Sequence, residues 1–465
     1  MANDKPARIG VRHLICALAA IAAAALAVVE PPAGVTATGM QAAAITLIAI
    51  ALFATALIPE FFTAIVFMFA AVVLAIAPPK IVFSGFYSSA VWLVFGGLVI
   101  GYGVQSSGFG ARIVRTMLRF FPPSYFGTIT AIAGVGALLS FLIPSAMGRV
   151  VLLVPIVLVL AETLGFKKGS RGYAGFVLAA TASTTIPAFG ILPANVPNMA
   201  LIGGAESIYN VSFTYGAYLA LNYPVMGLLG LAGTIALLTL LFGETPRPAP
   251  ADETEAPWSR EERVLGLVVL IALVLWASDF LHGVSPAWVA MGAAILCLLP
   301  RVGIMPPGII ATKLNLGPWF FVAGIIGMGA VVTQAGFGSA LAQSAIAWLP
   351  FTQGGGAVNF ASLVGLGSVV GMLTTLPASP AIMTPLAETL AQATGWPLET
   401  VLLAQVPPWM AFPFPYQAPP MVVAMGLAGL TVGQVMRFLG PYLLFAVVVL
   451  LPLQYLWGNL LGFYP

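Results

Sequence analysis

Apolar residues run almost without interruption along this chain, and the polar ones fall in short clusters between the runs. A helix needs about 20 residues to cross roughly 30 Å of hydrocarbon. Continuous apolar stretches near that length lie at 13–29, 41–58, 61–77, 215–242, 262–280, 284–300 and 440–460. A second set, 88–107, 126–164, 172–205, 318–336, 356–394 and 398–429, is equally apolar but is cut by Pro, Gly and Ser or is too long for one span. The pattern predicts an all-α polytopic membrane protein.

The interrupted runs carry the organisation. Residues 126–164 read as a helical hairpin that enters and leaves on one side, with its tip at Ile143-Pro144-Ser145-Ala146-Met147-Gly148. Proline at such a break frees backbone groups that neighbours, water or a ligand must satisfy. The run 356–394 repeats the design, with a tip at Thr374-Thr375-Leu376-Pro377-Ala378-Ser379-Pro380. Spans 172–205 and 398–429 are split by proline-rich loops, Pro187 to Pro197 and Pro413 to Pro420. Gly96, Gly101 and Gly108-Phe109-Gly110 recur 228 residues later as Gly324, Gly329 and Gly336-Phe337-Gly338, and Pro155 and Gly165 recur 230 residues later as Pro385 and Gly395. The expected layout is an N-terminal span in 1–39, a first repeat in 40–242, a cytoplasmic linker at 243–263 and a second repeat in 264–465. Five spans and one re-entrant hairpin per repeat, an odd number of crossings, set the copies in opposite orientations, and with the extra first span give about eleven spans; this is the inverted-repeat plan of secondary transporters.

Composition sharpens the picture. With 60% hydrophobic and 7% charged residues, no sizeable domain outside the membrane is available. A net charge of +3, scattered along the chain, speaks against a nucleic-acid partner. With the amino terminus in the cytoplasm, 15 of the 17 basic residues fall in cytoplasmic segments: Lys5, Arg8, Arg12, Arg112, Arg115, Arg119, Lys167, Lys168, Arg171, Arg247, Arg260, Arg263, Arg301, Lys313 and Arg437. The carboxy terminus then lies outside a bacterial-type inner membrane. The run 13–29 behind Lys5, Arg8 and Arg12 looks like a signal peptide, but Glu30-Pro31-Pro32 is a poor cleavage site, and an uncleaved first span is expected. Cys16 and Cys297 sit inside apolar runs and His13 and His282 at the flanks of different spans, so neither a disulfide framework nor a haem or zinc centre is expected.

In an inverted-repeat transporter the site lies near the midplane, where broken helices present free N–H groups to an anion. That points to Ser145, Arg149, Asn195 and Asn198 in the first half and to Thr374, Thr375, Ser379, Gln417 and Pro419 in the second. Ser, Thr and Asn beside a break also serve simply to satisfy freed backbone groups, and their recurrence in both halves is what favours a site. Arg149 is the most informative of them, because a charge at the bilayer centre costs roughly 2.5–3.5 kcal/mol without a partner. Glu162 is 13 positions along the same helix, about 20 Å away, and no acidic residue occupies the tips or loops, so an anionic substrate is the expected partner.

With these motifs in view, the chain resembles the divalent anion/sodium symporter family of the ion transporter superfamily, carriers of dicarboxylates, citrate and sulfate. The likeness runs through Val94-Phe95-Gly96-Gly97, a hairpin tip followed by Pro155, Pro197-Asn198, and then Thr375, Pro385 and Pro419-Pro420. The resemblance implies a homodimer that carries its substrate by an elevator-type motion of hairpins and broken spans. It also implies sodium as coupling ion, held by tip oxygens, for which the matching positions are Ser145, Ala146, Ala194, Thr374 and Thr375. Members of the family show Ser-Asn-Thr at each tip, whereas this chain has Ser145-Ala146-Met147 and Thr375-Leu376-Pro377. Both asparagines are missing, and Arg149 is expected to supply the charge that sodium supplies elsewhere, making this member sodium-independent or an exchanger. The alternative is a sodium/proton or arsenite antiporter of the same superfamily, which needs a titratable group at the midplane. An intramembrane enzyme is not expected, since no catalytic cluster is visible and no cofactor beyond sodium is implied.

Overall fold

A computed structural model describes residues 11–31, 36–55, 57–119, 124–246, 257–300, 304–305, 308–336, 343–344 and 346–465. Lys5, Arg8, Arg247, Arg301, Phe337, Gly338 and residues 247–256 of the linker 243–263 lie outside the described residues.

Among the described residues the regular structure is helical and contains no strand. The first half runs α1 (Val11–Val28), α2 (Ala37–Thr55), α3 (Glu60–Val73), α4 (Ser89–Ser106), α5 (Phe109–Arg119), α6 (Tyr125–Leu142), α7 (Ala146–Thr163), α8 (Arg171–Thr185), α9 (Val196–Tyr209), α10 (Tyr215–Asn222) and α11 (Gly230–Phe242). A π-turn segment at Tyr223–Leu229 joins the last two into one rod. The second half runs α12 (Arg260–Ala277), α13 (Pro286–Leu298), α14 (Gly317–Gln334), α15 (Ala357–Leu373), α16 (Ser379–Met383), α17 (Ala387–Thr394), α18 (Leu398–Leu403), α19 (Pro419–Ala428), α20 (Val432–Phe445) and α21 (Leu451–Leu460). Seven described helices or rods are long and apolar enough to cross a membrane: 37–55, 89–106, 125–142, 146–163, 215–242, 317–334 and 432–460.

Local chemistry explains the breaks. Proline marks them: α6 stops before Pro144, and Ser145 caps α7 by accepting from the Gly148 N–H at 3.1 Å. Each hairpin closes on a glycine in the left-handed region, Gly165 at φ +78° and Gly395 at φ +70°. Their recurrence in the sequence is therefore a backbone requirement.

Small residues set the packing. A Cβ on Gly96 would lie 2.7 Å from the Ala290 carbonyl carbon on α13, and one on Gly97 would lie 2.7 Å from the Pro144 Cβ. Thus α4 wedges between α13 and the first tip. In the second half a Cβ on Gly324 would lie 2.5 Å from the Ala64 Cβ, which seats α14 on α3. Each half's broken span also packs on the other half's hairpin, α19 against α7 and α9 against α16. At one end of the bundle a buried ion pair, Arg112 Nε to Glu262 Oε1 at 2.8 Å, ties α5 to α12.

Candidate functional site

The first tip is built around Arg149, in the first turn of α7 and wholly buried. Its Nε donates to the Thr184 carbonyl at 2.9 Å and Nη2 to the same oxygen at 2.7 Å. Nη1 donates to the carbonyls of Ile143 and Ala194, the latter at 2.9 Å, and Nη2 also reaches Asn195 Oδ1 at 3.1 Å. A guanidinium has five N–H donors, and these five bonds use them all. Ile143 caps the C-terminal end of α6 and Thr184 lies in the last turn of α8. The charge therefore sits where two helix ends present carbonyls outside the helical ladder and negative dipole. Arg149, expected to face the substrate, is held by α6, α8 and the loop before α9 and does not line the cavity.

The remaining side chains divide into those facing a cavity and those holding the breaks together. Asn195 lines the cavity and donates Nδ2 to the Thr185 carbonyl at 3.3 Å. Asn198, expected at the site, turns into the loop instead, its Nδ2 donating to the carbonyls of Ala188, Phe189 and Ile191 at 3.0, 3.3 and 2.7 Å. In the second tip, Thr374 returns its hydroxyl to the Val370 carbonyl at 2.7 Å, and the Leu376 N–H donates to the Gln417 carbonyl at 2.9 Å. The Gln417 amide oxygen accepts from the Phe414 N–H at 3.0 Å. Thr374, Thr375, Ser379 and Gln417 are buried, and none of them lines the cavity; the backbone at the second tip consumes or screens them. The Thr375 hydroxyl is buried with no hydrogen-bond partner.

The cavity itself measures about 280 Å³, close to the roughly 300 Å³ lower bound of small-molecule pockets. Ser145, Ala146 and Met147 from the first tip and Leu376 and Pro377 from the second line it together, although 230 residues separate them. Asn195, Val196 and Pro197 meet Ala418, Pro419 and Pro420 there. The opposite wall comes from Val94 and Leu98 on α4, Asn315 and Phe321 at the start of α14, and Glu60 with Phe61 at the start of α3. Glu60 corrects the expectation that no acidic residue lies near the tips. It is the sole acidic residue between Glu30 and Glu162, placed behind Pro59 between two apolar runs, and that isolation was the signal for it in the sequence.

A cation at the first tip would draw on the carbonyls of Ile143, Thr184 and Ala194 and on Asn195 Oδ1. All four oxygens already accept from Arg149, so a sodium ion does not fit there, and the expectation that Ala194 offers it a ligand is corrected. Among the described residues no group of three His, Cys, Asp or Glu converges as a metal site.

Comparison with known proteins bears on the family and the fold. Over 291 residues the chain is 25% identical to a membrane protein of Cupriavidus necator, and over 274 residues 27% identical to the L-tartrate/succinate antiporter of Escherichia coli K12. These matches cover 60% and 55% of this chain and 56% and 54% of the relatives, so the similarity spans a little over half of their length. The crystal structure of the Alcanivorax borkumensis YdaH transporter, described as having an unusual topology, superposes with a TM-score of 0.56 at 16% identity, covering 98% of this chain and 99% of that one. The family model for the sodium:sulfate symporter transmembrane region matches residues 11–464, and the chain belongs to that family.

Proposed function

We propose that the protein is a secondary carrier that exchanges small organic dianions of the dicarboxylate class across a bacterial inner membrane without sodium coupling. The observation that carries the reading is the saturated Arg149 guanidinium, a fixed positive charge in the carbonyl cluster that would otherwise hold a cation. Being permanent, that charge needs no coupling ion to build the anion site. The substrate binds in front of it, against the amino-terminal end of α7, where Ser145, Ala146 and Met147 border the cavity. There the helix dipole and free N–H groups favour negative charge. The second half contributes less, because α19 begins with Pro419-Pro420, which have no N–H to offer. The L-tartrate/succinate antiporter among the relatives supports both the exchange and the substrate class.

The inverted repeat has its own support. Gly96 meets Ala290 while Gly324 meets Ala64. Gly96 and Gly324 are 228 positions apart, and Ala64 and Ala290 are 226 apart (290 − 64), so exchanging the halves exchanges the two contacts. On this plan the elements alternate so that Glu60, Asn315, Lys167 and Lys168 share the cytoplasmic face, the cavity reaches from that face to the tips, and the hairpins with α8, α9, α18 and α19 move as the elevator. A homodimer completes the reading.

The test is uptake of labelled succinate or tartrate into liposomes preloaded with the unlabelled anion, in sodium and in choline at equal ionic strength. Equal, trans-stimulated uptake is expected in both. Saturable sodium dependence, or no exchange with either anion, would overturn the proposal.

A further inference from the structure

Glu60 is used by nothing described so far. It opens α3, lines the cavity that both tips line, and makes no hydrogen bond or ion pair among the described residues. No other lining residue is titratable. The elements packed against α3 supply little charge: α2 and α14 contain no ionisable side chain, and the one-turn helix Pro79–Val82 carries Lys80. Lys80 follows the far end of α3, 14 residues long or about 20 Å from Glu60. Lys313, in the loop leading into α14, is exposed and forms no ion pair with it. Arg149 lies behind the tip, its donors occupied.

An aliphatic dianion entering this cavity sets one carboxylate against the α7 end and leaves the other in a confined, mostly apolar space that already contains Glu60. Two carboxylates sharing such a site cannot both remain ionised cheaply, and they hold one proton between them. We propose that Glu60 makes anion binding proton-linked: the cavity takes up one proton from water with each dianion, held between the Glu60 carboxylate and the substrate carboxylate remote from the first tip. The pair then titrates as a unit. This rests on the dianion reading above and adds a selectivity to it, since Glu60 also accepts a hydrogen bond from a substrate hydroxyl.

The test is calorimetric binding of succinate to the purified full chain in sodium-free buffer between about pH 6.5 and 8.5, where succinate itself is almost wholly ionised. Wild type should lose affinity with rising pH, approaching tenfold per pH unit for one linked proton. In Glu60→Gln the dependence should vanish, with affinity at the highest pH above that of wild type. Glu60→Asp, which keeps a carboxylate, should keep the slope. In wild type, buffers of different ionisation enthalpy should report uptake of up to one proton per succinate in the same pH range, which needs no variant to fold. A flat wild-type profile, or a slope that persists in Glu60→Gln, overturns the proposal while leaving the dianion reading intact. Failure of succinate and of tartrate to bind wild type at every pH removes both.

Discussion

Replacing Arg149 with alanine tests the cation-surrogate argument at its source. The substitution strands three buried acceptors, the carbonyls of Thr184 and Ala194 and the Asn195 amide oxygen, while the Ile143 carbonyl keeps the Ser145 N–H at 2.8 Å. A buried polar group left without a partner costs about 1–3 kcal/mol, so a space that stayed dry would lose about 3–9 kcal/mol, comparable with the roughly 5–15 kcal/mol that keeps a typical domain folded. The vacated volume is lined by oxygens at two helix ends, the arrangement that coordinates sodium in broken-helix transporters. Sodium at 100 times its dissociation constant would return about 2.7 kcal/mol. The assay is thermal unfolding of purified wild type and Arg149→Ala in choline and in sodium at equal ionic strength. Wild type should melt at the same temperature in both salts; the variant should melt lower in choline and recover saturably with sodium. Arg149→Lys should fall between, because an ammonium cannot reproduce the two-pronged grip on the Thr184 oxygen. A variant as stable as wild type in choline, or a sodium shift seen in wild type and missing from the variant, would refute the reasoning.

Two further outcomes follow from the packing. Gly97→Ala puts a methyl 2.7 Å from the Pro144 Cβ and should cost about 1–3 kcal/mol while unseating the first tip, seen as a lower melting temperature and lost succinate exchange. Gly365→Ala, where nothing lies within 4 Å, is the control and should be neutral or slightly stabilising. Cysteines at Ser145 and Leu376, which line the cavity from opposite tips, should react with a small thiol reagent and be protected by succinate. A cysteine at Thr375, buried away from that cavity, should not react.

Much of the architecture was legible because proline and glycine leave unambiguous marks. Pro144 places the first break, and Gly165 and Gly395 recur because both occupy left-handed backbone. The convergence of the two tips was readable from the repeat. The roles of individual polar residues were not, because orientation is set by which backbone groups a break leaves unpaired. Asn195 and Asn198 are three positions apart, at the cap and in the first turn of α9; one borders the cavity and the other is turned toward the preceding loop by the carbonyls of Ala188, Phe189 and Ile191. Arg149 follows the same rule: its partners are carbonyls at two helix ends, which appear in no sequence pattern. The place of Glu60 was not legible because the cavity's far wall is built from the starts of α3 and α14, elements with no internal break.

The same helices that border the cavity are pinned at their other ends. Oε2 of Glu206, near the end of α9, accepts from the Ser88 hydroxyl at 2.9 Å, the Ser89 N–H at 2.9 Å and the Ser89 hydroxyl at 2.8 Å, which ties α9 to the start of α4. Hydrogen bonds to a charged acceptor contribute about 1.5–3 kcal/mol each. Three on one oxygen make this the strongest described polar link between α9 and α4 at that end. Gly203 adds close packing beside it, since a Cβ there would lie 2.8 Å from the Ser88 hydroxyl. In the elevator reading proposed above α9 slides against α4, and these three bonds would break together with the glycine contact. These bonds lie at the end of α9 away from the cavity. On that reading, anion binding beside Ser145 and Asn195 would be transmitted along α9 to Glu206. That helix is 14 residues, about 20 Å, of continuous hydrogen-bonded backbone, stiff enough to carry it.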